Sequence, residues 1–308
     1  MSVITYETFQ KLVTEKVQKK LDEHILVKVT SVVKNNGVVL KGLCFTREEE
    51  GISPTIYLEN FYEEYKNGAD LGDICDHIVD IFRIGGKNNV FDVQDFLDFE
   101  KAGKNIAFKL VNYEKNKELL KEIPHKRYLD MAVVYYYLLN NEEIENATIL
   151  IYNNHLQSWG ITAEELDRAA KENTPRLLEA DLRSMADVLS ELLTNKGIDS
   201  DFIEEECDVD NVMYVLSNRT RIFGAAVILY NDVLKEFSEK VKQDLYILPS
   251  SVHEVILIPK VSGVSAEMLL EMVKEVNATQ VEDIEVLSDN VYCYEREADR
   301  VVEALNAA

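Results

Sequence analysis

The stretch from Asn211 to Lys260, NVMYVLSNRTRIFGAAVILYNDVLKEFSEKVKQDLYILPSSVHEVILIPK, decides the fold class of this chain. Its apolar, β-branched and aromatic runs predict strands at 213–216, 222–230, 245–248 and 254–258. Ser217 and Asn218 supply turn residues after the first run, and Asn231 is expected to cap a helix after the second. The stretch therefore predicts an antiparallel sheet with a helix packed on it.

Helices are predicted on both sides of this sheet. Upstream, Thr162 and Glu165 form a capping box that opens one helix, and Pro175 is expected to begin a second helix that ends at Leu193. Downstream, Ser265 is expected to cap a helix. The apolar residues expected on the inner face of that helix are Met268, Leu269, Met272, Val273 and Val276. The C-terminal tail predicts a short strand and a last helix.

The first part of the chain also mixes helical and extended patterns. A helix is predicted at 6–21, strands at 26–34 and 38–45, and an amphipathic helix from 71 that Gly85-Gly86 ends. Asn35-Asn36-Gly37 between the two strands is a strong hairpin signal. The whole pattern predicts an α+β fold of antiparallel sheets with helices packed on them. We expect an N-terminal domain at 1–122 and a C-terminal domain at 123–308 that contains a helical segment at 162–195.

Two segments of the chain resemble each other, ATILIYNNHLQSW at 147–159 and AAVILYNDVLKEF at 225–237. In both, an apolar run ends in Tyr-Asn, and a leucine and an aromatic residue follow. The shared pattern predicts a strand followed by a helix that the Asn caps. Chance similarity between apolar strands is the alternative, so a duplication is left open.

The composition of this 308-residue chain limits its function. The sequence contains no apolar run that could span a membrane, and its N-terminus lacks the pattern of a signal peptide, so we expect a cytoplasmic protein. A formal net charge of −23 disfavours direct binding to nucleic acid. The four cysteines are scattered without a CxxC pair, which indicates idle or buried thiols. Neither a metal nor a cofactor is indicated.

The densest acidic segment surrounds Glu204, Glu205 and Glu206. These side chains form a candidate surface for a protein partner. Alternatively, the carboxylates imitate nucleic acid and occupy a basic partner. The simplest interpretation is a solvated acidic surface that keeps the protein soluble.

The string Ser250-Ser251-Val252-His253-Glu254 contains the residue types of a hydrolase triad. Ser251 and His253 would be nucleophile and base, with Glu254 as the orienting acid. Residues two apart in a strand are separated by about 6.6 Å, so Ser251 and His253 meet only if the chain bends between them. A turn with His253 hydrogen-bonded at the sheet edge is the structural alternative. The zinc-protease signature is excluded, because no second His stands four residues after His253.

Further candidate binding residues lie in and beside the predicted strands. Tyr136 is the middle residue of a Tyr-Tyr-Tyr run and faces either a binding surface or the core. Asn153, Asn154 and His155 follow a strand end, a position at which open sheets often bind ligands. Trp159 is expected to pack against the capping-box helix.

The chain resembles a family of bacterial proteins of unknown function from gut anaerobes. The resemblance lies in YLENFYEEYKNG, IPHKRYLDMAVVYY, ILIYNNHLQSWGITAEELDRAAKENTPRL, GAAVILYNDVLKEF, YILPSSVHEVILIP and MVKEVNATQVEDIEVLSDNVYCY. These segments span nearly the whole chain. The resemblance implies a bacterial, intracellular setting and supplies no catalytic residues.

The residues together predict a non-enzymatic module that binds a protein partner or regulates it. The first alternative is a hydrolase-like enzyme that uses Ser251 and His253, and the second is the acidic mimic of nucleic acid. The oligomeric state is left open.

Overall fold

The computed structural model describes residues 3–47, 55–87, 93–139, 148–195, 213–249, 251–261 and 264–306. The chain forms two compact units that divide between Asp92 and Val93. The sequence suggested a boundary after residue 122 instead. Strands on the two sides of that position, at Ile106–Asn112 and Met131–Leu138, are hydrogen-bonded neighbours, which places both in the second unit.

The first unit contains one antiparallel sheet with helices against it. Its helices are α1 (Tyr6–Lys19), α2 (Glu59–Lys66) and α3 (Leu71–Lys87), and its strands are β1 (Ile25–Val33), β2 (Val39–Arg47) and β3 (Thr55–Tyr57). The sheet order is β1-β2-β3, and the predicted Asn-Asn-Gly hairpin between the first two strands is confirmed. The core joins the apolar faces of α1 and α3 to the sheet, with Phe9, Val13, Leu43, Phe45 and Ile78 at its centre. Helix α3 continues through Gly85-Gly86, where a stop was predicted.

The second unit contains two antiparallel sheets. Its helices are α4 (Val93–Leu97), α5 (Phe99–Ala102), α6 (Lys117–Leu120), α7 (Asn153–Trp159), α8 (Ala163–Leu177), α9 (Met185–Asn195), α10 (Val233–Val241) and α11 (Ala266–Thr279). Its strands are β4 (Ile106–Asn112), β5 (His125–Tyr128), β6 (Met131–Leu138), β7 (Thr148–Leu150), β8 (Ala180–Ser184), β9 (Tyr214–Asn218), β10 (Leu245–Leu248), β11 (Val255–Pro259), β12 (Tyr292–Glu295) and β13 (Arg300–Glu303).

The two sheets of this unit confirm the α+β class. One has the order β13-β12-β10-β11-β9-β8, and in the other β6 pairs with β4 on one side and with β5 and β7 on the other. Asp130, in the turn between β5 and β6, connects the two sheets. It accepts hydrogen bonds from Ser288, Asn290 and Tyr292, which lie before and in β12. None of the described helices is long and apolar enough to cross a membrane.

The strand predicted at 222–230 is wrong. The segment forms a turn and a 3₁₀ helix at Gly224–Leu229, so the two similar segments differ, because only the first contains a strand, β7. A side chain at Gly224 would place its Cβ 2.1 Å from Ser217 Oγ and 2.4 Å from the His253 carbonyl oxygen, so the turn requires glycine. Asp232 occupies the N-cap position of α10 in place of Asn231. A short run that is buried on all sides carries no periodicity that separates strand from helix.

Three other predictions about local structure are corrected. Pro175 lies in the last turn of α8 and opens no second helix, because the residues after it form β8 at the edge of the six-stranded sheet. The tail forms the hairpin β12–β13 and a 3₁₀ turn where a last helix was predicted. Met268 and Met272 are exposed, whereas Leu269 and Val273 of the same helix are buried in the core cluster beside the sheet. The predicted caps at Thr162 and Ser265 are confirmed.

The described cysteines are unpaired thiols. Cys75 and Cys293 are buried and Cys44 is half-buried. Burial raises the pKa of the Cys75 and Cys293 thiols, which keeps them protonated and unreactive. Cys207 lies outside the described residues.

Candidate functional site

The candidate site is the free edge of strand β1 in the first unit. In an antiparallel pair, alternate residues direct both backbone polar groups toward the partner strand, and the residues between them direct both groups away. The side chain of Gln18 identifies the outward set, because its amide donates to the Ile25 carbonyl at 2.8 Å and accepts from the Val27 N–H at 2.9 Å. Val29, Ser31 and Val33 continue this outward set.

The outward backbone groups of Val29, Ser31 and Val33 have no hydrogen-bond partner among the described residues. Gln18 thus closes only the first part of a nine-residue edge strand. The three remaining residues present a row of N–H and C=O groups of the kind that another strand can pair with.

The other long edge strand, β4, is closed. The side chain of Asn173 donates to the Ile106 carbonyl at 3.3 Å, and Thr174 Oγ1 accepts from the Phe108 N–H at 3.1 Å. Both residues are buried in α8, which packs along this edge. Helix α8 therefore covers the edge of β4, whereas the edge of β1 beyond Gln18 stays accessible.

Apolar side chains surround the open part of β1. Val29 and Val33 lie on one face of the strand, and Val39 of β2 stands directly opposite Val33. Val33 is 59% exposed and Val39 is 52% exposed, although both belong to a sheet. Exposed valines beside unpaired backbone groups favour contact with another protein chain.

The opposite face of β1 is cationic. Lys28 is exposed and forms no ion pair within the described residues, and the ammonium group of Lys34 lies 4.2 Å from the centre of the Tyr57 ring. On the valine face, Lys41 Nζ donates to Ser31 Oγ at 2.6 Å. A local excess of lysine in a chain of net charge −23 favours an acidic partner at this edge.

The structure does not bring Ser251 and His253 together as nucleophile and base. Ser251 Oγ accepts a hydrogen bond from the backbone N–H of His253 at 3.0 Å, which forms a local turn. The imidazole Nδ1 lies 3.1 Å from the Arg221 carbonyl oxygen, and Nε2 lies 3.4 Å from Glu285. A nucleophilic hydroxyl requires the ring nitrogen of its base within hydrogen-bond reach, and this contact is not formed.

Within the described residues, the acid beside the His253 ring is Glu285 and not Glu254. The Glu254 side chain lines a narrow pocket with Arg183 and Arg221. The pocket has a volume of about 20 Å³, which is room for about one water molecule. Ser250 and the acidic residues Glu204, Glu205 and Glu206 lie outside the described residues, so the acidic surface stays a prediction.

The candidates at the start of α7 belong to an aromatic cluster. His155 accepts from the Tyr152 N–H at 3.1 Å, and its ring meets the Phe96 ring edge to face at 5.3 Å. Trp159 donates to the Phe96 carbonyl at 2.8 Å and meets the Phe96 ring edge to face, so it packs against α4. Asn153 donates to the Lys121 carbonyl at 3.2 Å, and Asn154 is exposed. These contacts position α7.

The environment of His155 gives a pH-dependent prediction. Burial lowers its pKa from the ordinary 6.5. The unfolded chain therefore takes up this proton at a higher pH than the folded chain, and stability falls as the pH drops below 6.5 toward the folded pKa. We expect His155→Gln to lose less stability than the wild type between about pH 7.5 and pH 5.5. Urea unfolding at both pH values measures this difference, and equal losses would contradict the prediction.

Tyr136 does not lie at a surface. Its side chain is 1% exposed, and its hydroxyl has no hydrogen-bond partner among the described residues. Burial raises the pKa of this hydroxyl. The neighbouring rings of Tyr135 and Tyr137 are also buried, which corresponds to the core alternative for this run.

Sequence reasoning predicted the hairpin but missed its role as an edge. The available signal was the strand ILVKVTSVV, which carries apolar residues on both faces although one face of a hairpin is normally polar. The position of Gln18 could not be read as a cap, because its contact with Ile25 depends on how α1 packs on the sheet. No cluster of three or more metal-ligating side chains occurs in the described ranges.

Comparison with known proteins gives one assignment. No curated protein and no solved structure matches the chain. The profile of a family of unknown function matches residues 6–296, which confirms the resemblance to such a family found in the sequence. Because the match covers nearly all of both compact units, the chain belongs to the family of unknown function DUF5688.

Proposed function

We propose that this protein is a binding module that holds an extended segment of a partner protein by strand addition to the edge of β1. The observation that carries the proposal is the row of unpaired backbone groups at Val29, Ser31 and Val33. Main-chain hydrogen bonds would supply affinity, and alternate side chains would supply specificity. The partner is a protein, and the cytoplasmic, bacterial setting expected from the sequence is part of the same proposal.

The two faces of β1 define the chemistry of the added strand. Side chains that lie beside Val29 and Val33 would be apolar, and side chains that lie beside Lys28 and Lys34 would be acidic. Because successive residues of a strand face opposite sides, a segment that alternates apolar and acidic residues meets both requirements. Cross-strand pairs of this kind contribute roughly 0.2–1 kcal/mol each.

The first test uses peptides of this pattern on the full chain. We expect the blocked peptide VEVEVEV to bind at least about tenfold more tightly than VKVKVKV, because like charges opposite Lys28 and Lys34 repel. Hydrogen exchange should slow at the amides of Val29, Ser31 and Val33 when the acidic peptide is bound. Protection elsewhere in the chain, or a preference for the lysine peptide, would contradict strand addition at this edge.

The second test removes one outward N–H. Ser31→Pro deletes a donor that the sheet itself does not use, and proline is tolerated at such positions of edge strands. We expect a loss of peptide affinity of about tenfold or more with little change in thermal stability. Ser31→Ala is the matched control, because it keeps the N–H and removes only the contact with Lys41. If both variants bind the peptide as the wild type does, the edge is not the binding surface.

The hydrolase alternative lacks a supporting contact, since the ring of His253 faces Arg221 and Glu285. The acidic mimic of nucleic acid depends on Glu204, Glu205 and Glu206. This alternative stays a prediction. Reversal of the three charges should abolish binding to a basic partner if the alternative is correct.

A further inference from the structure

The second unit contains an open pocket of about 540 Å³ between α10 and the β12–β13 hairpin. This volume is in the range of small-molecule sites. Its lining combines aromatic and aliphatic side chains with polar and charged ones: Tyr128, Tyr230, Tyr294, Ile228, Leu234 and Val301 beside Asn231, Asp232, Lys235, Asp299 and Arg300. The pocket shares no residue with the edge of β1.

The two cations that line the pocket already have acidic neighbours. Arg300 Nε donates to Glu295 at 2.6 Å, and Lys235 Nζ lies 3.9 Å from Asp299. Asp299 also accepts a hydrogen bond from the Tyr294 hydroxyl at 2.6 Å. The positive charges at this pocket are therefore offset by the protein itself.

Asp232 is the one lining charge without a partner among the described residues. It stands at the N-cap position of α10, where an aspartate normally accepts a hydrogen bond from the first turn of the helix. Here its backbone is left-handed, with φ of 63°, and its side chain makes no capping bond. Asp and Asn are the non-glycine residues that adopt this conformation most readily. The Asp232 carboxylate is therefore an exposed group at the rim of the pocket, without a capping bond to its own helix.

The aromatic groups complete the site. Burial raises the pKa of Tyr128 to about 12, so its hydroxyl stays protonated, and this hydroxyl has no hydrogen-bond partner among the described residues. The faces of tyrosine rings attract cations within about 6 Å. A free carboxylate beside three tyrosines favours a positively charged organic ligand over an anion.

We propose that this pocket binds a small organic ammonium compound, with its charged group at Asp232 and its aliphatic part against Ile228, Leu234 and Val301. These aliphatic side chains favour such a ligand over an inorganic cation, because an inorganic cation has no apolar part to bury against them. The negative charge of the whole chain adds a long-range attraction for the same class of ligand.

Three probes of equal length test the charge that the pocket selects: hexylamine, 1-hexanol and hexanoate. Each is titrated into the full chain and followed by NMR, with the ring signals of Tyr128, Tyr230 and Tyr294 as local reporters. We expect saturable binding of hexylamine, with the other two probes weaker by about tenfold or more. Absence of saturable binding of the amine, or a preference for hexanoate, would overturn the proposal.

Two variants locate the ammonium group. Asp232→Asn keeps a residue type that tolerates the left-handed backbone and removes the charge. We expect this variant to bind hexylamine about tenfold more weakly than the wild type does, and to bind 1-hexanol with unchanged affinity. Glu236→Gln, in the first turn of the same helix and outside the pocket lining, is the control and should bind as the wild type does. Equal affinity of hexylamine for Asp232→Asn and the wild type would disprove the role of Asp232.

Discussion

Replacement of Tyr136 by alanine is expected to lower the free energy of unfolding by about 3–5 kcal/mol, the range for large buried side chains. Tyr136 is among the largest fully buried side chains of the protein and packs with Ala107, Leu138 and Leu178. Its ring also meets Phe223 edge to face at 5.3 Å. A partner-binding residue at a surface would lose binding without this loss of stability.

The hydroxyl of Tyr136 allows a sharper comparison. Because it has no hydrogen-bond partner among the described residues, Tyr136→Phe removes an unsatisfied buried group, and stability should stay constant or rise by about 1 kcal/mol. The matched control is Tyr135→Phe, which removes a hydroxyl that donates to Asp167 at 2.9 Å and should cost about 1 kcal/mol. Urea unfolding measures all three variants. If Tyr136→Phe is as destabilised as Tyr136→Ala, the hydroxyl has a partner and our account of this site is wrong.

The second large effect is expected at Asp130. Asp130→Ala removes the acceptor of Ser288, Asn290 and Tyr292, and two of these donors are fully buried. A buried donor left without a partner costs about 1–3 kcal/mol. The Tyr292 hydroxyl keeps Ser288 Oγ, at 2.8 Å, as a second acceptor, so we expect a total loss of about 2–3 kcal/mol. Burial is the main cause of the raised pKa of Tyr292, and the neighbouring Asp130 carboxylate raises it further. The hydroxyl therefore stays protonated and needs an acceptor.

Asp289 provides the control for Asp130. Its carboxylate accepts one hydrogen bond, from Asn277 at 2.9 Å, and Asn277 also donates to the Ser288 carbonyl at 2.9 Å. Asp289→Ala should therefore cost about 1 kcal/mol or less. The free energy of unfolding in urea separates the two variants. Equal effects would show that the Asp130 network does not connect the two sheets energetically.

The local structure of much of this chain follows from the sequence. The α+β class, the hairpin at Asn35-Asn36-Gly37 and the caps at Thr162 and Ser265 rest on turn and cap chemistry within a few neighbouring residues. The periodic apolar pattern of α3 likewise predicted which of its faces is buried. Such features need no information about distant parts of the chain.

The tertiary structure decided the features that depend on distant partners. Most residues of the segment at 222–230 are buried, and its turn depends on the close approach of Gly224 to Ser217 and His253. Strand β8 exists because β9 supplies its hydrogen bonds. An apolar run is compatible with several conformations, and backbone pairing with a remote segment selects one of them.

The candidate sites likewise combine features that the sequence predicts with features that only tertiary contacts determine. The sequence predicted a strand at 26–34, whereas only the packing of α1 shows that Gln18 closes one end of its edge and leaves Val29, Ser31 and Val33 open. The pocket at Asp232 combines Tyr128 with residues of two later segments, Ile228 to Lys235 and Tyr294 to Val301. Sequence determines the chemistry of each side chain, but its partners, and hence which charge or backbone group is left free, are set by contacts between segments far apart in the chain.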